Sequence, residues 1–281
     1  MDGLGLAPAG ECNPVRPEIC PNLCGLIDGH SVPIDACLGV PGLPQSASGQ
    51  TTLFTGVNAA KAFGAHAEGF PGPTLRKIVD ADNIFIQLMA RGLKCRFADA
   101  YLADTVEEIA ARRFRSVTTT MALTRPSTIS LRADLLANGA VFQDITRDLL
   151  RRKGYTGGTL PPETAAEHLM QVAIANDFTL FEYFQSDRAG HSCDLDTAAA
   201  VLSLLDAFVG RAAQMAAQSG MLFVLTSDHG NIEDLSVRTH TLNKVPLIAL
   251  GPGADRMLSG VESLVDVTPR LVEILTGSPM S

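Results

Sequence analysis

Two short segments place a carboxylate and an imidazole close together: Ser186-Asp187-Arg188-Ala189-Gly190-His191 and Ser227-Asp228-His229-Gly230-Asn231. A further histidine, His240, follows the second segment inside a polar loop. Hard oxygen donors and imidazoles suit Zn, Mn or Mg better than softer metals. One Asp-His pair is more often a turn or a helix cap than a ligand pair. Two such pairs with a third histidine point to metal ligation. Two ions held ~3.5–4 Å apart can clamp the attacking and leaving oxygens of a phosphoryl displacement.

A nucleophile for that chemistry can come from 43–56, Leu43-Pro44-Gln45-Ser46-Ala47-Ser48-Gly49-Gln50-Thr51-Thr52-Leu53-Phe54-Thr55-Gly56. Ser46, Ser48, Thr51 and Thr52 all offer hydroxyls there, and composition does not choose among them. A serine at a helix N-terminus gains from the positive end of the dipole and from metal coordination. The same residues read equally well as a Ser/Thr-rich cap without chemistry.

Both Asp-His segments follow apolar runs. Phe178 to Phe184 and Met221 to Thr226 read as buried strands, and Val245 to Leu250 as a third, ended by Gly251-Pro252-Gly253. Ligand sites gather at the carboxyl ends of strands in open parallel sheets. Helices are expected over 50–63, 84–92, 197–218 and 265–275, and a short strand over 94–98. Residues 1–45, rich in Pro, Gly and Cys, read as loops. Thr159 is a candidate cap for a helix starting near Pro161-Pro162. The expected fold class is α/β, a three-layer αβα sandwich with a mostly parallel sheet. It forms a single domain over 1–281, with a small helical insert at about 104–170.

The chain has 281 residues, 46% hydrophobic and 19% charged, enough to bury a sizeable core. A net charge of −8 lacks the basic stripe of a nucleic-acid binder, and without Trp a base-stacking platform is not expected. No apolar run approaches the ~18 residues that span a membrane. Met1-Asp2-Gly3 shows no basic or apolar leader, so a cytoplasmic protein is expected. The spacing of Cys12, Cys20 and Cys24 lacks the tight pairs and fourth ligand of a zinc site. Reduced, partly buried thiols are the simpler reading.

Taken together the segments resemble the alkaline-phosphatase superfamily, in its cofactor-independent phosphoglycerate mutase and phosphopentomutase branch. Residues 186–191 look like that family's D-x-x-G-H motif, and 226–231 like its T-A-D-H-G-N. His240-Thr241 with Lys244-Val245-Pro246 resembles its H-T…V-P. Residues 45–50 resemble the mutase N-S-E-V-G-H, which puts Ser46 at the nucleophile. Asp2-Gly3-Leu4-Gly5 resembles the opening D-G-x-G, and Asp266-Val267-Thr268-Pro269 the C-terminal D-x-x-P. The resemblance implies two divalent metal ions, Mn or Zn, with Mg a third option. One would sit on Asp187, His191 and His240, the other on Asp2, Ser46, Asp228 and His229. Ser46 would attack phosphorus in line, and water or a bound acceptor would take the phosphoryl group.

Three positions depart from the family pattern. A buried strand normally precedes the D-G-x-G aspartate, whereas only Met1 precedes Asp2. Gln45 and Gln50 replace the mutase Asn and His. The stretch 57–186 is too short for the mutase substrate-binding cap. The expected function is therefore a metal-dependent phosphomonoesterase or phosphodiesterase acting on a small phosphorylated metabolite. A phosphomutase and a catalytically weak metal-binding protein are the alternatives. A sulfatase is set aside, since 46–50 lacks the Pro and Arg of its nucleophile motif. For substrate contact, His66 lies in a Gly-rich loop after the nucleophile helix, and Arg112, Arg113 and Arg115 could grip a phosphate or carboxylate. An exposed loop histidine and a solvated helix face are the ordinary meanings of those residues.

Overall fold

The computed structural model describes residues 1–152 and 154–277. Its strands are β1 (Ser31–Ile34), β2 (Cys95–Phe97), β3 (Phe178–Leu180), β4 (Phe223–Thr226) and β5 (Val245–Leu250). They form two small sheets, ordered β1-β5-β4 and β2-β3. β5 alternates faces as a strand must. Val245, Leu247 and Ala249 join one apolar cluster, while Ile248 joins another on the opposite side. Helices cover both faces. Pro162–Ile174 and Leu195–Gln218 pack on the Ile248 side. Ser46–Thr55, Ile84–Met89 and Leu264–Thr276 contribute to the other.

The mostly parallel sheet expected from the apolar runs is not what the hydrogen-bonded pairs show. Among the five strands only β2 and β3 pair in parallel, with Arg96 opposite Thr179. β5 is antiparallel to both neighbours, with Ser31 and Leu225 each opposite Ile248. The reason lies in residues 227–244, which connect β4 to β5 without a helix. Without a crossover element, the chain returns antiparallel to the strand it just left.

Residues 1–45 are not all loop. Pro21–His30 is a helix with Pro at its first turn, and it runs straight into β1. Asp206, on the Leu195–Gln218 helix, accepts from the Leu23 amide at 2.7 Å and from Asn22 Nδ2 at 2.8 Å. The tertiary partner, rather than local propensity, makes this helix. The expected helix over 50–63 is two helices, Ser46–Thr55 and Ala59–Phe63, broken at left-handed Gly56. That over 84–92 ends at Met89, and Asn83 caps its start. Pro161 rather than Thr159 occupies the cap position before Pro162. The strand expected over 178–184 extends only from Phe178 to Leu180.

Leu195–Gln218 is long and apolar enough to cross a bilayer, with a mean hydropathy of 1.3. It was not expected from sequence as a long apolar run, since Asp196, Asp206 and Arg211 interrupt it. Leu202, Leu205, Phe208 and Val209 along it are buried within the protein. The six cysteines are unpaired. Cys20 and Cys24 bring their sulfurs to 3.8 Å, and burial pushes the Cys20 thiol up to about 12.

Candidate metal centre

Three chain segments meet where β3 and β4 end. Helix Gln185–Ser192 begins five residues after β3 and carries Asp187 in its first turn and His191 one turn later. Spacing of four puts both side chains on one helical face, with Asp187 Oδ2 3.4 Å from His191 Nε2. Asp228 and His229 follow β4 directly, and His240 closes the loop before β5. Residues 1–4 run between the two strand ends. Asp2 N donates to the Tyr183 carbonyl at 2.8 Å, and Leu4 N to Ser227 Oγ at 2.8 Å.

The side chains so gathered form two adjoining donor groups. In the outer group, His240 Nε2 lies 3.4 Å from Asp187 Oδ1 and 3.2 Å from His191 Nε2. His240 Nδ1 contacts the Pro44 carbonyl at 2.7 Å, and His191 Nδ1 the Arg238 carbonyl at 2.8 Å. A carbonyl only accepts, so both Nδ1 atoms carry a proton, which leaves each Nε2 as the ring atom facing the Asp187 carboxylate and able to ligate a cation there. Ligands in a tetrahedral zinc site with bonds of ~2.0–2.1 Å stand roughly 3.3 Å apart, which the 3.2 and 3.4 Å separations match. Carbonyls on the remote nitrogens are the usual outer support of such ligands.

In the inner group, His229 Nε2 lies 3.0 Å from Asp2 Oδ1, 3.0 Å from Ser46 Oγ and 3.7 Å from Asp228 Oδ2. Asp2 Oδ1 and Asp228 Oδ2 are buried without a hydrogen-bond partner, as befits oxygens meant for an ion. Burial and the Asp228 charge push the Asp2 carboxyl up to about 8. Burial would lower His229, but Asp228 and Asp2 outweigh it and hold the imidazole up at about 10. For Asp187 burial is again outweighed, here by His240 and His229, and its carboxyl drops to about 2. Asp2, Asp187 and His229 also lie within 4.8 Å of one another, so Asp187 faces both groups. The His229 and His240 rings stack at 3.8 Å.

Local packing explains several small residues. Ser46 is the first residue of its helix, where the dipole's positive end meets the inner group. Gly49 lies within that helix. A Cβ on it would come 2.6 Å from the Asp228 carbonyl, so its bareness lets the helix press on the strand end. Gly190 does the same for Gln185–Ser192, since a Cβ would meet Asn231 Oδ1 at 2.5 Å. Gln50, in place of the family's histidine, donates from Nε2 to Asp2 Oδ2 at 3.3 Å. Asp266 stands apart from the centre, where it caps the last helix by accepting from Ser263 N at 2.9 Å.

Two positioning residues were missed from sequence. Asn231 Nδ2 donates to Asp187 Oδ1 at 2.6 Å and orients that carboxylate; it stood inside the motif without an assigned role. Glu233 is buried and accepts from Gly5 N at 2.8 Å, Asn231 N at 2.7 Å and Asn243 Nδ2 at 3.1 Å, and also from Thr241 Oγ1. One carboxylate thus clasps the segments bearing Asp2, His229 and His240. A lone acid in a polar loop gives no pattern that would reveal it.

The suggested substrate contacts make no described contact with the donor groups. His66 Nε2 is 3.2 Å from the Val40 carbonyl. Arg112 lies over the Tyr101 ring and Arg113 over Phe114, both exposed. Arg115 is half-buried, and its Nε has no hydrogen-bond partner.

Fold and donor set together define a metal-dependent phosphoryl-transfer class. The chain belongs to the metalloenzyme superfamily, the alkaline-phosphatase superfamily, whose profile matches residues 1–278. It is 33% identical over 129 residues to a 2,3-bisphosphoglycerate-independent phosphoglycerate mutase of Cereibacter sphaeroides (strain ATCC 17025 / ATH 2.4.3), a match spanning 41% of this chain and 25% of that relative. The corresponding mutase of Desulforudis audaxviator is 29% identical over 126 residues, again over 41% and 25%. The chain thus spans about a quarter of the length of the curated relatives it matches. Among solved structures, the PH0037 protein of Pyrococcus horikoshii superposes with a TM-score of 0.60 at 15% identity, covering 100% of this chain and 96% of that one. Alkaline phosphatase from the Antarctic bacterium TAB5 superposes with a TM-score of 0.56 at 13% identity, covering 98% and 96%. These likenesses show the fold.

Proposed function

We propose that this chain is a metal-dependent phosphohydrolase that uses Ser46 as nucleophile on a small phosphorylated metabolite. The observation that carries the reading is Ser46 Oγ, 3.0 Å from His229 Nε2 at the first residue of a helix. Asp187, His191 and His240 would hold one divalent ion; Asp2, Asp228, His229 and Ser46 would hold the other. Bound there, the ions supply positive charge against the phosphoryl oxygens and lower the pKa of the Ser46 hydroxyl. The helix N-terminus adds its amide dipoles on the same side. Ser46 Oγ forms a bond to phosphorus as the ester oxygen leaves. Water then cleaves the Ser46 phosphoester and releases inorganic phosphate.

The short span 57–186 favours hydrolysis over mutase chemistry, whereas the local identity to phosphoglycerate mutases favours the second reading, an intramolecular phosphotransferase. One experiment separates them. The chain is loaded in turn with Mn, Zn or Mg and given a panel of sugar and glycerate phosphates, with free phosphate and isomerised product both measured. Phosphate release that disappears in Ser46→Ala supports the hydrolase. Isomer formation without phosphate release supports the mutase. A chain that binds no more than one ion and turns over nothing is a metal-binding protein instead.

A further inference from the structure

A second set of donors lies at the start of helix Pro21–His30, outside the two groups described above. Cys20 occupies the cap position before Pro21, and Cys24 follows one turn later. The Cys24 amide donates to the Cys20 carbonyl at 3.0 Å. That closed turn brings the two side chains together, and their sulfurs stand 3.8 Å apart. The Cys20 sulfur is also 3.5 Å from the Arg16 carbonyl. Cys20 is fully buried and Cys24 half-buried.

Cys24 lines a cavity of about 180 Å³ together with Asn13, Asp28 and residues 5–7. Asp28 lies one further turn along the helix, so positions 20, 24 and 28 form a stripe on one face. Asp28 is exposed and carries the stripe out to solvent. Burial, and with it the charges of Asp28, Asp206 and Glu18, holds the Cys24 thiol above its usual value. Burial likewise pushes the Cys20 thiol up to about 12. The carboxylates that disfavour a thiolate on its own favour a cation beside it.

The sulfur separation chooses between two uses of such a pair. Zn–S bonds of ~2.3 Å at the tetrahedral angle set neighbouring sulfurs roughly 3.8 Å apart. An ion can therefore enter between Cys20 and Cys24 without moving either sulfur. A disulfide would require the same atoms to close to ~2.05 Å. Two sulfurs with one carboxylate, and no imidazole in the stripe, suit a soft cation better than Mn or Mg.

We propose that Cys20 and Cys24 bind one thiophilic cation, Zn or Cu(I), at a site of their own, with the cavity giving Asp28 or water room to complete its coordination. Binding forms two metal–sulfur bonds and releases two thiol protons to solvent, so affinity rises with pH. The ion would pin the first turn of the helix that runs directly into β1. Spacing of four alone does not reveal such a site; the capped turn and the adjoining cavity supply it.

The test uses the full chain, reduced and freed of metal. Co(II) is the probe for the Zn class, and Cu(I) is supplied without oxygen. Sulfur-to-metal charge transfer absorbs in the near ultraviolet only where a thiolate binds. Ions in the Asp-His centre are silent in that band, whatever the centre catalyses. The band should saturate with one sulfur-bound ion per chain. Cys20→Ser and Cys24→Ser should each weaken binding by more than the ~10–100-fold that loss of an outer support costs. Cys37→Ser and Cys193→Ser should leave it unchanged. Affinity should rise by up to about a hundredfold per pH unit, tenfold for each proton displaced. Cys24 is only half-buried, so Cys24→Ser decides the matter where Cys20→Ser fails to fold. The proposal is overturned if neither Co(II) nor Cu(I) gives the band, or if the band survives in Cys24→Ser. It is also overturned if the reduced chain stays silent while oxidised glutathione joins Cys20 to Cys24, which would make the pair a redox element instead.

Discussion

The inner and outer halves of the metal centre use the same residue types in different surroundings. His229 and Asp228 are 0% and 2% exposed, whereas His191 is 42% exposed and Asp187 17%. Outside, the backbone carbonyls of Pro44 and Arg238 orient the two imidazoles through their Nδ1 atoms. Inside, carboxylates and an imidazole must neutralise one another, which is why Asp2 and His229 both hold protons to unusually high pH. If each half holds an ion as proposed, the inner half should depend on it more heavily and the outer half should exchange it more easily.

The largest effect should come from Asp228→Asn. It removes a buried charge that opposes His229 and, on the proposed reading, a direct ligand, so metal analysis should show one ion lost and turnover should fall by more than the ~10–100-fold typical of outer-support changes. Full metal content in this variant would break the distinction between the halves. Ser46→Ala should leave the metal content nearly intact while removing phosphoryl transfer. Ser48→Ala, which loses contacts to the Gln45 carbonyl at 3.1 Å and the Ala67 amide at 3.1 Å, should cost only ~1–3 kcal/mol of stability. Vanadate bound to Ser48 or Thr51 in a crystal, with Ser46 turned away, would reassign the nucleophile.

His191→Ala should be milder than Asp228→Asn: weaker retention of one ion on dialysis, restored by excess metal, with the inner ion unaffected. Glu233→Gln touches neither half directly. Its amide would place a donor against amide hydrogens already pointing at it, and chemical denaturation should report a loss of ~1–3 kcal/mol. An unchanged midpoint would show that the clasp is dispensable.

A pH trend should separate metal-free from metal-loaded chain. His229 at about 10 and Asp2 at about 8 both lie above their ordinary 6.5 and 3.8. Between those limits the native chain binds more protons than the unfolded one, so its stability falls as pH rises. The His229 contribution is complete below 6.5 and is lost as pH rises through about 10. Thermal midpoints of the metal-free chain should thus decline from pH 6.5 to 10, and metal, by replacing those protons, should flatten the curve. Equal slopes with and without metal would show that the inner pair is not where the ion binds.

What could be read from the sequence was local. Asp187 and His191 share a helix face because four residues make about one turn, and 245–250 reads as a strand because an apolar run bounded by Gly-Pro-Gly has few alternatives. The helix Pro21–His30 escaped because its decisive partner, Asp206, lies far along the chain. The antiparallel run of β5 escaped because apolar composition marks a strand without giving its direction. Only tertiary packing brings Asp2 between Tyr183 and Thr226, ties three segments to Glu233, and leaves His66 and the arginines without described contacts to the donors. Residue type and short spacing specify which groups can bind an ion. Which of them share one depends on contacts between distant segments, and those are set by how the helices and sheets bury their apolar faces together.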